Sequence, residues 1–226
     1  MKRTAEAKLV YFCGILPVRM QIRNDLHLAR KAWHMVMGLV IAFIYMSGLP
    51  RSTGVIILGS VLGFDLFMEG MRLRNPAFNE KMLKFWGPVL RAHEINQMST
   101  LPHYVSAAMI AVGIFPKPVA ILSILYLACG DPIASFFGIL YGHKGPRFAS
   151  GKTLVGTSAG VLACALVTFI YLKSLSMPDG TVLALSAMGG LAGGMAELLP
   201  FDIDDNFTIP VISGFVLWLA FIAFGL

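Results

Sequence analysis

The chain has 226 residues, 57% of them hydrophobic and only 13% charged, with a formal net charge of +6. A soluble domain carries about twice that charged fraction, so the composition excludes an ordinary water-soluble enzyme and implies a polytopic membrane protein. Its apolar runs are long and continuous, which selects an all-α transmembrane bundle over a β-barrel.

In chain order, residues 1–30 form a basic arm in which Lys2, Arg3, Lys8, Arg19 and Arg23 suit contact with anionic lipid. The apolar stretch 9–18 is too short for a signal peptide and is followed by further basic residues, so it is expected to be an interfacial helix. Runs of the length needed to cross a bilayer follow at about 33–49, 53–70, 101–116, 118–141, 157–173, 181–199 and 207–226. That makes about seven spans within one transmembrane domain, residues 31–226.

Charge orients them. Of the 18 Lys and Arg, 15 lie in residues 1–31, 71–100 and 142–156, and the remaining three are Arg51, Lys117 and Lys173 in the short opposite loops. The positive-inside rule then places the amino terminus and the long loops in the cytoplasm, giving a multi-pass protein of the inner membrane if the source is bacterial. These basic residues are juxtamembrane and have no aromatic-interleaved module, which excludes nucleic acid as a partner. Cys13, Cys129 and Cys164 have no metal or redox spacing and are read as packing residues. The five histidines form no ligand pattern.

Polar groups stand out against this background. "ARKAWHM" sets Arg30 and His34 four apart, with Lys31 three before the histidine; "FDLFMEGMRLRNP" spaces Asp65, Glu69 and Arg72 as an ion-paired stripe; "RAHEI" puts Arg91 three before Glu94. Asp131 sits inside the fourth span, where an unpartnered carboxylate costs roughly 2.5–3.5 kcal/mol on insertion scales, so it should face a cavity or a partner. Asp131, Ser135, Gly138 and Gly142 form one small polar stripe, and Pro132 suggests a break beside it.

The segment "GPRFASGKT" ends as a phosphate loop ends, but Gly145 stands one residue too early for a P-loop. Lys144, Arg147 and Lys152, with Gly151, Thr153 and Gly156 at the next helix start, still make a polyphosphate cradle. "GGLAGGMAELLPFDIDDNFTIP" then brings glycine pairs four apart, Glu197, and the oxygen-rich set Asp204, Asp205 and Asn206, which suits Mg²⁺ shared with phosphates or, equally, an acidic helix cap.

Together "RKAWH", "FDLFMEGMRLRNP", "LRAHE", "GDPIASFFGILYGHKG", "GKTLVGTSAG" and "DDNFTIPVISG" resemble, in order, the CTP-dependent lipid kinases: dolichol kinases, phytol kinases and CTP-using diacylglycerol kinases. The resemblance covers most of the chain from about residue 30. It implies transfer of the CTP γ-phosphate to a membrane lipid alcohol, with Mg²⁺ as cofactor. The implied roles are Lys152, Lys144 and Thr153 on the polyphosphate, and Asp131 with Asp204 or Asp205 on the metal. Glu197 or Asp205 would orient or deprotonate the lipid hydroxyl, and Asn206 would position one of these groups. Arg91, Glu94, His34 and Lys31 would complete the cytoplasmic wall.

Two competing readings remain. The related phosphatidate cytidylyltransferases would transfer CMP instead, but residues 207–226 carry no charge and lack their C-terminal signature. A small transporter would place its ionisable groups at a repeat interface near the midplane, and no internal repeat is present. The lipid is left open, as is a homodimer built on the glycine stripes.

Overall fold

The structure is a computed structural model and describes residues 28–142, 145–199 and 204–226. The basic arm before Leu28, with its expected interfacial helix, and Lys144 lie outside the described residues. Every described element is helical except for an isolated bridge between Arg147 and Thr153.

The helices are α1 (Leu28–Met46), α2 (Arg51–Arg74), α3 (Pro76–Trp86), α4 (Leu101–Ile114), α5 (Lys117–Leu125), α6 (Asp131–Tyr141), α7 (Leu154–Ser174), α8 (Asp179–Met195) and α9 (Asp205–Ala223). Single 3₁₀ turns occupy Ala92–Ile95 and Ala196–Leu198. A π-helical turn, Tyr126–Gly130, joins α5 to α6, so Lys117–Tyr141 is one continuous span. The break expected at Pro132 is therefore a widening just before Asp131. Such π turns are frequent at functional sites.

Six of these helices are long and apolar enough to cross a membrane. The third expected span is the exception: α4 has 14 residues. At 1.5 Å per residue it reaches about 21 Å, short of the ~30 Å hydrocarbon core. One face of it is nonetheless buried against its neighbours, through Tyr104, Val105, Ala108 and Ala111.

The α5–π–α6 span is the centre of the bundle. Ile121, Leu122, Ile124 and Leu127 join Tyr104, Phe115, Leu172 and Leu217 in one core. By contrast, α2 shows most of its surface to the outside, including Ile56, Phe64 and Phe67. An apolar outer face is what lipid requires.

Close helix contacts come from the glycine stripes. A Cβ on Gly194 would stand 2.4 Å from Val161 Cγ2 and 2.5 Å from its backbone nitrogen, and one on Gly190 would stand 2.8 Å from Val161 O. Gly193 meets Cys164 and Tyr126, and Gly160 meets Ala134. The stripes are thus consumed within the chain, which removes the sequence-level argument for a homodimer. Gly194→Val should cost about 1–3 kcal/mol by overpacking, lowering the melting temperature in detergent by roughly 2–4 °C for each kcal/mol. Gly63 has nothing within 4 Å of a built Cβ, so Gly63→Ala should leave the melting temperature unchanged or raise it.

The polar segment 71–100 folds more than its composition suggests. Asn75 caps α3 by accepting from the Phe78 amide, with Pro76 in the first turn. Arg72, 2% exposed, clamps the following loop. It is paired with Glu69 at 2.7 Å and donates to the carbonyls of Glu94, Ile95 and Gln97. Asp65, expected in the same ion-paired stripe, is not in it: its Oδ2 is buried and has no hydrogen-bond partner among the described residues.

Candidate active site

At the end of the bundle where α1, α7 and α9 begin and α8 finishes, charged side chains converge. Lys152 Nζ lies 2.7 Å from Asp205 Oδ2 and 3.1 Å from Glu197 Oε2. Thr157 Oγ1 donates to Glu197 Oε1 at 3.3 Å. Burial alone would lower the Lys152 ammonium pKa, but Glu197, Asp205 and Asp131 more than reverse this and hold it above its ordinary value. One lysine therefore ties the loop before α7 to the end of α8 and the start of α9.

Lys152 stands between two cavities. One, of about 130 Å³, is lined by Arg30, Lys31, His34, Arg91, Asp131, Ser135, Ile139, Lys152, Asp205 and Asn206. Four cations thus face two carboxylates. Lys31 Nζ is buried there and has no hydrogen-bond partner among the described residues. A buried ammonium without a partner is costly, and an anion in this cavity would satisfy it. The other cavity, of about 350 Å³, has Ser135, Gly138, Arg147, Gly151 and Thr153 among its lining residues, and Lys152 and Glu197 border it as well. Ser135, Ile139 and Lys152 belong to both. Such a two-lobed polar cleft can hold a polyphosphate in one lobe and the rest of a nucleotide in the other.

The segment that ends like a phosphate loop is a tight hairpin. The Gly151 amide donates to Phe148 O and the Phe148 amide to Lys152 O, both at 2.9 Å. Gly151 has φ +81°, a left-handed conformation that favours glycine. Arg147 donates to its carbonyl. This hairpin, and not a strand-to-helix turn, presents Lys152.

Other expected site residues have partners of their own. Thr153 Oγ1 caps α7 by accepting from the Gly156 amide at 3.1 Å, so that amide is committed, while the Thr153 hydroxyl keeps its own proton to donate into the cavity it lines. Gly156 lines the larger cavity and also serves helix packing, since a Cβ there would stand 2.7 Å from Ala134 O. Glu94 faces away from the Lys152 cavity: both its oxygens accept from Arg30 Nη1 at 3.0 Å, and Oε2 also accepts from the Arg91 amide. Asp204 is not among the lining residues. It caps α9 through the Asn206 amide, accepts from the Asn206 side chain, and lies 3.7 Å from Arg91. Glu197 and Asp205 are both engaged by Lys152, so neither is a free base. The fold brings together Lys31, His34, Arg91, Asp131, Lys152, Asp205 and Asn206. It adds Arg30 and Ser135, for which the arginine before Lys31 and the four-residue step from Asp131 are the sequence signals.

Among the described residues no three His, Cys, Asp or Glu gather as a metal-holding group. Asp131 and Asp205 do line one cavity. Mg²⁺ characteristically takes one or two carboxylates together with phosphate oxygens, so this pair fits an ion that arrives with a polyphosphate.

This geometry can be set beside known proteins. The chain is 30% identical over 204 residues to "CTP-dependent diacylglycerol kinase 1" of Eremothecium gossypii, covering 81% of this chain and 64% of that protein. The protein of the same name from Schizosaccharomyces pombe is 27% identical, over 84% of this chain and 91% of its own length. Along most of its length the chain is similar to CTP-dependent lipid kinases. "Probable phytol kinase, chloroplastic" of Triticum aestivum matches over a shorter stretch, 53% of this chain and 43% of the relative at 28% identity. No family model matches the chain, and no solved structure does. The chain spans 64% of the length of the Eremothecium relative.

Proposed function

We propose that this protein is an integral-membrane kinase that transfers the γ-phosphate of CTP to a lipid alcohol of the diacylglycerol class, at the cytoplasmic face. The observation that carries this reading is the small cavity in which Arg30, Lys31, Arg91 and Lys152 surround Asp131 and Asp205, with the Lys31 ammonium unpartnered. The relatives named diacylglycerol kinases support the nucleotide and the lipid class.

Phosphoryl transfer depends on positioning and on neutralising charge. Lys31, Arg91 and Lys152 bind the phosphate oxygens and hold the chain of phosphates along the cleft. Mg²⁺ held by Asp131, Asp205 and phosphate oxygens would supply further charge neutralisation when bound. The lipid hydroxyl oxygen bonds to the γ-phosphorus as the bond from that phosphorus to the β–γ bridging oxygen breaks. CDP leaves and the hydroxyl proton is released.

The test uses purified protein with γ-labelled or α-labelled CTP and dioleoylglycerol. Label should reach the lipid only from the γ position. Asp131→Asn should reduce this transfer by about 10²–10³-fold, the range typical of removing one preorganised charged group from a reaction site. Label incorporated from the α position would identify a cytidylyltransferase and overturn the kinase reading. Near-normal transfer by Asp131→Asn would overturn the assignment of that residue.

A further inference from the structure

A third pocket, of about 290 Å³, lies between α1, α2, α3 and the start of α4. Its walls are apolar: Trp33, Val61, Phe64, Met68, Trp86 and Leu90. It is open to the outside of the bundle, where Phe64 is 65% exposed and Trp86 is also exposed. Its polar residues are mostly satisfied by one another, Arg30 by Glu94 and Thr100, Glu69 by Arg72 and the Ser99 amide. Asp65 is different. It lines the pocket one helical turn before Glu69, and its Oδ2 is buried with no hydrogen-bond donor among the described residues. Arg30 and His34 line this pocket and the Lys152 cavity alike, so they form a shared partition.

We infer that this pocket is the acceptor site, holding a diacylglycerol-class lipid with its acyl chains between Trp33 and Trp86 and its free hydroxyl donating to Asp65 beside the Arg30–His34 partition. The inference rests on the kinase reading above, and four observations together choose the occupant. An apolar pocket with exposed Phe64 and Trp86 at its rim admits a lipid from the side. A buried acceptor oxygen without a donor asks for a hydroxyl, and an unpaired buried acceptor costs more than a paired one. The shared partition sets that hydroxyl next to the cations proposed to hold the phosphates. The pocket and the polar cleft also differ in chemistry as a lipid and a nucleotide do. A phospholipid without a free hydroxyl would fill the apolar walls and leave Asp65 unsatisfied.

The molecule carries its own reporter. Trp33 and Trp86 stack edge to face with centroids 5.1 Å apart, while the third tryptophan, Trp218, packs elsewhere against Phe115 and Phe215. Full-length Trp218→Phe protein in detergent should be titrated with diacylglycerol brominated on its acyl chains, and separately with equally brominated phosphatidylcholine. The diacylglycerol should quench tryptophan fluorescence saturably, at a mole fraction about tenfold or more below that needed for phosphatidylcholine, as expected for one hydrogen bond to a charged group. Asp65→Ala should bring the two curves together and raise the lipid KM about tenfold with the KM for CTP unchanged. Asp65→Asn keeps an acceptor oxygen and should stay nearer the parent protein. An unchanged melting temperature would show that both variants are folded.

Coincident curves in the parent protein would make the pocket an ordinary lipid-facing surface. No quenching by either lipid would mean that the chain's own residues 1–27 or another group fills it. Either result overturns the inference. Selective quenching without γ-phosphate transfer would keep the lipid-alcohol site and sink the kinase reading, whereas transfer with coincident curves would do the reverse.

Discussion

Lys152→Ala should lower γ-phosphate transfer by about 10²–10³-fold, because it removes a cation aimed at the proposed phosphate path. It should also destabilise the protein, and this second effect separates two roles of one side chain. Lys152 neutralises Glu197, whose side chain is only 6% exposed, as well as the more exposed Asp205. Without the lysine, Glu197 keeps a single 3.3 Å hydrogen bond, from Thr157. Leaving a buried carboxylate without its counterion should cost roughly 1–3 kcal/mol here, below the value for a fully buried pair, because Lys152 is one-third exposed. Lys152→Ala combined with Glu197→Gln removes the stranded charge. The double variant should regain most of the lost melting temperature and none of the lost transfer. Recovery of both would show that Lys152 acts only through folding. Recovery of neither would mean that Glu197 is not the group Lys152 stabilises.

Hydropathy made the bundle legible because the bilayer imposes one requirement over a long window. Six expected spans match helices long enough to cross, with ends displaced by only a few residues, such as 118–141 against Lys117–Tyr141. The shortfall at α4 was also visible as a short run containing His103. The amphipathic helix α3 was missed, although Asn75 followed by Pro76 is a helix-start signal. Its polar residues resemble a loop when only apolar run length is counted.

The site was legible in part. Asp131, Lys152 and Asp205 come from three separate segments and line one cavity, as their chemistry suggested. Glu94, Asp204, Thr153 and Gly156 were harder to read. Spacing tells which face of a helix a group occupies but not what stands opposite. Glu94 meets Arg30, 64 positions away. The Thr153 hydroxyl accepts from an amide three residues on. The glycines were ambiguous for the same reason: a missing Cβ makes room equally for a phosphate or a neighbouring helix, and at Gly156 the space belongs to the Ala134 carbonyl.

Glu94→Ala is expected to destabilise more than any other substitution considered. Glu94 is 1% exposed and receives both its charged hydrogen bonds from the equally secluded Arg30, whose second arm donates to Thr100. Glu94 also anchors the loop through the Arg91 amide. Removing one partner of a buried pair costs about 3–5 kcal/mol because the other charge stays buried. In detergent, Glu94→Ala should therefore melt well below the parent protein and lose activity with its fold. Arg30→Met with Glu94→Leu removes both charges, a replacement that is often close to neutral. That double variant should recover most of the melting temperature. It should not recover transfer, since Arg30 lines both the polar cavity and the apolar pocket, and the partition between them would then be uncharged. A fully active double variant would show that Arg30 does no more than hold the loop. A Glu94→Ala protein with unchanged melting temperature would mean that the pair contributes nothing to the fold.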